Sequence, residues 1–313
     1  VNAFFYDSRK FELHSQEVIT KDLSNNNLVR VIDLYRLYYK DSLLTNQSDT
    51  VFFTVVAAHL KAGTAAADAS DRADAAAALM QFIQNYVNDE NVLMCGDLNI
   101  YKSQEAAYQN LTQGSNVGIR FYDPLNQPGN WGNNGSFAQL HTQSTRNTST
   151  NNGCFSSGGL DDRLDHILIT DEVRDNLDGM RYVPNTYHAL GNDGLHFNKA
   201  ITDDTNNSVP ATVLSALYGL SDHLPVIAEF EVERQQIGVD ENTLFGCMST
   251  TKAFVAAGLA MLIDDGKLNW DDKAIDYLPE FQLKDPYLTR EITIRDLLTH
   301  RTGLGNTDYL WSM

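Results

Sequence analysis

The sequence has few cysteines, no long apolar run and a shortage of basic residues. Three cysteines among 313 residues suggest no disulfide framework, and Cys95, inside the apolar run 91–95, is expected to be a buried free thiol. No stretch approaches the roughly 20 apolar residues that cross a bilayer, so no membrane span is predicted. The chain opens at Val1 without a basic-then-apolar leader, which indicates either a removed leader or a fragment.

The charge balance bears on the choice of partner. The 41 acidic residues exceed the 23 basic ones, and the formal net charge of −18 is opposite to the basic footprint of a protein that grips nucleic acid. An enzyme that meets phosphates through a divalent cation remains compatible with this charge, because the cation reverses the local field. The region 144–159, rich in Asn, Thr, Ser and Gly, is typical of solvated loops and favours a secreted bacterial protein.

The apolar pattern predicts a layered domain followed by a second, helical region. Residues 49–60 form a continuous apolar run typical of a buried strand, residues 67–90 carry a helical stripe, and the apolar run 224–232 is expected to close the series as one strand. Strands that alternate with helices and long loops predict an α/β or α+β architecture. The polar stretch 233–242 offers a linker, so we predict two domains, 1–234 and 235–313.

Polar side chains lie at the ends of several of the predicted strands, where α/β proteins place their sites because strand ends are rigid. They are His59, Asp97 with Asn99, Asp165, and Asp222 with His223. Each admits a structural interpretation: a histidine after a strand can cap it, Asp97 and Asn99 can form a turn, and Asp165 can pair with Arg163. Together they supply what phosphodiester hydrolysis needs, namely carboxylates for a hard cation and a histidine with a carboxylate behind it.

Four stretches, in this order and in these strand contexts, carry a family resemblance: AHLKAG, GDLNI, DRLDHILI and SDHLPVIAEF. They resemble the endonuclease/exonuclease/phosphatase superfamily over residues 1–234. The resemblance implies an α+β fold, a four-layer α/β/β/α sandwich that here lacks its first strands. It also implies metal-dependent hydrolysis of a phosphodiester by in-line attack of water, with nucleic acid as one candidate substrate and phospholipids or sugar phosphates as the alternatives.

The resemblance also assigns roles to individual residues. His59 matches a phosphate-contacting histidine, and Asp97 and Asn99 match the pair that orients water and phosphate. Asp222, together with Asp97, is expected to bind Mg²⁺, Mn²⁺ or Ca²⁺. His223 matches the general base or transition-state partner, and Asp165 the acid that holds its tautomer.

The chain departs from the superfamily in one respect, because no equivalent of its principal metal-binding Glu is found: Glu12 and Glu17 lie in the wrong context. One carboxylate of the cation site is therefore expected to be missing. Arg36 aligns loosely with a phosphate-contacting arginine. The missing carboxylate supports a rival hypothesis, in which the domain is a binding module that kept the fold and lost catalysis.

The second region has a different motif. Ser249 and Lys252 have the S-x-x-K spacing, which on a helix places hydroxyl and amine one turn apart. The surrounding sequence resembles the serine β-lactamase and penicillin-binding-protein superfamily, which implies that Ser249 is an acylated nucleophile and Lys252 its base. The family's later motifs do not follow before Met313. Residues 235–313 are therefore interpreted as a mainly helical, partial β-lactamase-like segment, and serine hydrolysis is a further alternative.

Overall fold

The computed structural model describes residues 2–40, 50–86, 91–113, 120–149, 155–232, 251–299 and 301. The chain divides into two compact units, Val1–Ile237 and Gly238–Met313. In the described ranges, no helix is long and apolar enough to cross a membrane.

A five-stranded sheet forms the centre of the first unit. Its strands are β1 (Phe11–Lys21), β2 (Asn27–Tyr39), β3 (Phe52–Ala58), β4 (Asn91–Asp97) and β5 (Asp165–Ile169), in the order β1-β2-β3-β4-β5. The neighbours pair in antiparallel fashion except for β3 and β4, which are parallel. A parallel pair needs a crossover, and α1 (Ala66–Tyr86) supplies it, as the helical stripe predicted.

Strand alternation sends apolar side chains to both faces of this sheet. On one face, Val56 and Met94 pack against Leu79 and Ile83 of α1 and against α2 (Ala106–Gln113). Alanines of α1 are buried in the same cluster and allow the helix to approach the sheet closely. Because both faces of the sheet are covered, its central strands read as the continuous apolar runs seen in the sequence.

The other face is covered by a second layer of short strands, in which β6 (Met180–Tyr182) pairs with β9 (Phe230–Val232) and β7 (His188–Ala189) pairs with β8 (Val226–Ile227). The short helix α3 (Asp171–Asp175) contributes Val173 to the core between the two strand layers. A third cluster joins β7 to α4 (Ala211–Leu220), so helices lie outside both strand layers. The predicted α+β class is confirmed, and the layers follow the order α/β/β/α.

One strand prediction is wrong. The run from Leu224 to Val232 was expected to form a single closing strand, but it breaks into β8 and β9. At the break, the backbone N–H of Glu229 donates to the hydroxyl of Thr186 (3.0 Å), and its carbonyl accepts from the N–H of Val183 (2.9 Å). The two halves therefore pair with different strands.

The second unit is helical where it is described. Its helices are α5 (Thr251–Asp264), α6 (Ala274–Tyr277), α7 (Pro286–Glu291) and α8 (Ile294–Leu298). Gly266, at φ +67°, follows α5 in the left-handed conformation that ends many helices, and the N–H of Lys267 bonds the carbonyl of Leu262 (2.9 Å). A capping box between Thr293 and Asp296 begins α8.

Candidate active site

Sheet topology brings three of the predicted site residues to one edge. Because β3 and β4 are parallel, His59 and Asp97 emerge side by side where these strands end. In the antiparallel pairing of β4 with β5, Asp97 lies opposite Asp165, so the first residue of β5 reaches the same edge. The sequence places these residues far apart, and the strand register joins them.

Gly96 makes this meeting of strands possible. It has φ +138°, and a Cβ atom at this position would lie 2.0 Å from the carbonyl oxygen of Ala58. Any larger residue would push β4 away from the end of β3. The glycine before Asp97 is thus required for the separation between Asp97 and His59.

His223 is brought to this edge by the segment that precedes β8, and Asp165 orients it. Its Nδ1 lies 2.7 Å from Asp165 Oδ2, and its Nε2 lies 4.0 Å from Asp97 Oδ2. Burial opposes protonation of the ring, but the hydrogen bond and charge of Asp165, with the charges of Asp97 and Asp222, outweigh it and raise the pKa of His223 to about 9. The ring is therefore an imidazolium at neutral pH.

Asp97 is the carboxylate between the two histidines. Its Oδ2 lies 3.5 Å from His59 Nε2, while its Oδ1 accepts the backbone N–H of Asn99 (3.0 Å). Burial and the negative charge of Asp165 raise the pKa of Asp97 to about 6, against the opposing effects of His223 and of the bonds from Asn99. Asp97 is thus ionised at neutral pH but basic enough to accept a proton.

His59 is the most exposed member of the group, with 44% of its side chain accessible. Burial lowers the pKa of His59, and the positive charges of Arg30 and His223 lower it further. At neutral pH it is a neutral imidazole that can donate or accept a hydrogen bond. The site therefore combines a cationic ring, a basic carboxylate and a neutral ring.

Gln143 is a member of the site that the sequence did not reveal. Its Nε2 lies 2.7 Å from His223 Nε2 and 3.3 Å from Asp222 Oδ2. Its backbone pairs with both Asp162 and His223. When the ring is an imidazolium, the amide can turn its Oε1 toward the ring N–H. Gln143 can therefore form a hydrogen bond with His223 in either protonation state of the ring.

Asn99 and Asp222 both form hydrogen bonds with backbone groups beside the site, and their predicted roles stay predictions. Asn99 is 3% exposed, and its Nδ2 donates to the carbonyl of Leu60 (3.2 Å), so it ties the ends of β3 and β4 together. Asp222 Oδ2 accepts the backbone N–H of Ser156 (2.8 Å) as well as the bond from Gln143. Burial raises the pKa of Asp222, but the hydrogen bonds from Ser156 and from its own backbone, with the positive charge of His223, outweigh burial and lower this pKa.

The predicted cation site has few donors among the described residues. A hard divalent cation takes six or more oxygen ligands. Within the described ranges, no group of three or more His, Cys, Asp or Glu side chains is placed to hold a metal ion. Asp222 Oδ2 accepts from Ser156 and Gln143, and Asp97 Oδ2 faces two imidazole rings. The metal site that the resemblance assigns to Asp222 and Asp97 therefore stays a prediction.

A buried ion pair fixes the loops that carry His59 and Asp97. Arg72 of α1 is 1% exposed, and its Nη1 donates to the carbonyls of Lys61 (2.7 Å) and Gly63 (2.8 Å) in the loop after His59. Its Nε donates to Glu105 (2.6 Å), which follows the loop after Asp97. The pair links both loops to one helix, so their relative position is set by buried bonds.

Arg30, rather than Arg36, is the arginine near this edge of the sheet. Arg36 lies over the ring of Phe52, 4.2 Å from its centroid, and pairs with Thr54 in the middle of the sheet. Arg30, near the beginning of β2, is the arginine whose charge acts on His59. The predicted phosphate contact of Arg36 is thus not at this edge, and an exposed Arg30 is near it.

The second predicted site falls largely outside the described structure. Ser249 lies outside the described residues. Lys252 lies in the first turn of α5, but only its backbone is described. The serine–lysine geometry therefore stays a prediction.

Comparison with known protein families finds a match in the second region. The family model named Beta-lactamase matches residues 213–313, or 101 of the 313 residues. The match begins at α4 and also overlaps β8 and β9, which pair with strands of the first unit.

Curated relatives match a similar length. Unguisins hydrolase ungD' of Aspergillus campestris is 41% identical over 76 residues, which are 23% of this chain and 14% of that protein. Penicillin-binding protein 4* of Bacillus subtilis is 41% identical over 69 residues, 22% of this chain and 14% of that protein. The match thus spans about a seventh of the length of these relatives.

Solved structures resemble a larger share of the chain. The human Nocturnin catalytic domain with bound sulfate anion is 17% identical, with a TM-score of 0.42 over 72% of this chain and 62% of that one. An endonuclease/exonuclease/phosphatase from Bacteroides vulgatus is 15% identical, with a TM-score of 0.39 over 73% and 69%. D. rerio TDP2 complexed with single strand DNA product is 12% identical, with a TM-score of 0.40 over 72% and 70%. The β-lactamase-like resemblance that the sequence motifs predict recurs in the family model and in the curated relatives.

Proposed function

We propose that the first unit is a phosphoester hydrolase. The observation that carries the proposal is the series Asp165, His223, Asp97 and His59, joined by distances of 2.7, 4.0 and 3.5 Å at one edge of the sheet. Attack of water on phosphorus needs a group that takes the water proton and a positive charge beside the phosphoryl oxygens. A basic carboxylate between two imidazoles offers both.

The residues divide the reaction as follows. Asp97 takes a proton from the attacking water as the new O–P bond forms. The imidazolium of His223 lies beside the developing charge and gives its proton to the leaving oxygen as the old P–O bond breaks. Asp165 stabilises the cationic form of His223 and holds its Nδ1–H, which directs Nε2 toward the site. His59, as a neutral ring, donates a hydrogen bond to a phosphoryl oxygen.

The metal requirement is a separate part of the proposal. The superfamily resemblance predicts Mg²⁺, Mn²⁺ or Ca²⁺, and the described residues provide Asp97 as one carboxylate near the proposed phosphate position. The substrate is a phosphodiester or phosphomonoester, and the acidic net charge of −18 argues against a long polyanionic substrate.

The test is hydrolysis of bis-p-nitrophenyl phosphate, p-nitrophenyl phosphate and plasmid DNA by the full chain. Each substrate is assayed with EDTA and with Mg²⁺, Mn²⁺ or Ca²⁺. Asp97→Asn is expected to lose turnover, and the matched exposed variant Asp175→Asn is expected to keep it. Metal-dependent turnover would add a cation to the site.

Two outcomes would overturn the proposal. A folded chain that hydrolyses none of these esters under any of the metal conditions would favour the binding-module hypothesis. Turnover that survives Asp97→Asn would place the reaction elsewhere in the chain. Serine hydrolysis is tested separately by a fluorophosphonate probe on Ser249, and absence of labelling in folded protein would exclude it.

A further inference from the structure

A cavity of about 320 Å³ lies in the first unit beside the candidate active site. Asp165, whose Oδ2 holds His223, is one of its lining residues. The opposite parts of the lining come from the 3-10 turn at Gly135–Leu140 and from the segment 187–193 after β6. Its volume falls at the lower end of the range for small-molecule sites.

The charge of the lining disfavours an anionic occupant. Among the described residues, the lining holds the carboxylates of Asp165 and Asp193 and the ring of His188, and its one lysine or arginine is Arg163. That guanidinium is 1% exposed and forms two hydrogen bonds with Asp123, at 2.7 and 3.0 Å. A phosphate or carboxylate placed here would meet two carboxylates without a lysine or arginine free to pair with it.

The polar groups of the lining suit hydroxyl groups. Among the described residues, both bonds to Asp193 fall on Oδ1, from His196 and the N–H of Leu195, so Oδ2 is left to accept from a ligand. The amides of Gln127 and Gln139 meet at 3.4 Å, a long contact that leaves one polar end of each amide for a ligand. A carboxylate and two amides can together accept from and donate to adjacent hydroxyls.

The remaining walls are apolar. The buried ring of Tyr187 faces the cavity with Leu125 and Val226, and the Tyr187 hydroxyl is already occupied by the N–H of Ile167 (2.8 Å). Sugars present a polar rim of hydroxyls and an apolar face of C–H groups. A lining that combines acceptors, amides and an aromatic ring matches both surfaces.

We propose that this cavity binds the alcohol portion of the ester, and that this portion is a neutral polyhydroxylated group, a sugar. The inference rests on the proposed function, since it names the substrate of the same site. The phosphoryl group then lies at Asp97 and His223, and the sugar extends past Asp165 into the cavity. The substrate is a sugar phosphate, and a polynucleotide is disfavoured because its backbone charge would enter an acidic cavity.

The first arm of the test measures specificity. Wild-type protein is assayed on hexose 6-phosphates and on p-nitrophenyl phosphate, and the ratio of the two kcat/KM values is compared with the ratios for Asp193→Asn and Gln139→Leu. Both variants are expected to lower the ratio at least tenfold, while the exposed control Asp175→Asn keeps it. An unchanged ratio in both variants, or a preference for an oligonucleotide over every hexose phosphate, would overturn the proposal.

The second arm does not require turnover. Saturation-transfer NMR with glucose, galactose and mannose measures binding to the wild-type chain and to Asp97→Asn, which retains the cavity. Hexose binding that Asp97→Asn keeps and Gln139→Leu weakens supports the cavity as a sugar site even if every ester assay fails. Ester turnover without hexose binding in any variant would overturn the sugar site and leave the phosphoester hydrolase intact.

Discussion

The two units of the chain differ in what stabilises them. The first unit contains three clusters of buried apolar side chains and buried ion pairs. In the described part of the second unit, the buried apolar residues are Leu268, Ala274, Ile292 and Ile294. Its ion pairs are partly or mostly exposed, and its helices carry local caps.

The two regions also differ in how well the sequence alone identifies them. The family model named Beta-lactamase matches residues 213–313, most of which belong to the second unit. Local helix signals such as caps depend on adjacent residues and are easily recognised in sequence. A site at the ends of three strands depends on register and burial, which few individual residues indicate.

The largest expected effect tests which unit performs the reaction. His223→Ala is expected to lower phosphoester turnover about 10³-fold, because it removes the cationic ring and its proton. Ser249→Ala is expected to change it less than twofold. Steady-state kinetics on p-nitrophenyl phosphate, with circular dichroism to confirm folding, measures both. A large loss in Ser249→Ala alone would assign the turnover to the second unit.

The next effect compares equivalent ion pairs in the two units. The side chains of Arg163 and Asp123 are 1% and 3% exposed, whereas those of Arg295 and Asp271 are 45% and 75% exposed. Each arginine nevertheless makes two hydrogen bonds with its aspartate. Arg163→Met leaves a buried carboxylate unpaired and is expected to lower the free energy of unfolding by about 3–5 kcal/mol. Arg295→Met is expected to cost less than about 1 kcal/mol.

Native-state hydrogen exchange can follow the two units separately in each of these variants. Equal destabilisation by both substitutions would contradict the contrast in burial. A similar loss in Arg72→Met, whose partner Glu105 is also buried, would extend the result to the pair that fixes the site loops.

The sequence predicted the central strands because their apolar runs and polar ends are local. The runs before His59 and Asp97 predict β3 and β4, and the structure then shows that these strands pair in parallel across the crossover helix, so that their ends meet. Pairing between Asp165 and His223 was also predicted, since the motifs that contain them are specific. These parts depend on short segments and on one topological rule.

The remaining features depend on long-range contacts. Gln143 lies in a loop without periodicity, 80 residues before His223, so no neighbouring residue indicates their contact. The bonds that engage Asp222 come from Ser156 and Gln143, and they could not be anticipated from the SDH triplet. The break between β8 and β9 likewise depends on Thr186, which is distant in sequence.

A smaller effect concerns a buried histidine beside the site. His166 is fully buried against Trp131, and neither ring nitrogen has a hydrogen-bond partner among the described residues. Burial and the positive charge of Arg163 lower the pKa of His166 to about 3, from an ordinary value of 6.5. Between these values the unfolded chain binds a proton that the folded chain does not, so stability falls as pH drops through the window.

His166→Phe removes this proton uptake and keeps a ring in the same place. The difference in free energy of unfolding between His166→Phe and wild type is expected to grow by roughly 3 kcal/mol in favour of the variant between pH 7 and pH 4.5. The wild type takes up a proton on unfolding over the two pH units between about 6.5 and 4.5, which correspond to about 2.7 kcal/mol. Urea unfolding across this range measures the difference. A constant difference would show that His166 is not the group responsible. No change is expected for the second unit.

The smallest expected effect separates a positioning role for Gln143 from simple packing. In the proposed reaction, activity falls below pH about 6, where Asp97 becomes protonated, and above pH about 9, where His223 loses its proton. Gln143→Leu removes the amide that contacts His223 Nε2 and is expected to lower kcat about tenfold. Gln143→Glu adds a negative charge beside the imidazolium and is expected to move the alkaline limb of the pH profile to higher pH.

The matched control for these Gln143 variants is Gln109→Leu on the exposed face of α2. If Gln143→Leu reduces stability without changing kcat, and Gln143→Glu leaves the alkaline limb in place, the amide only fills space between Asp222 and His223.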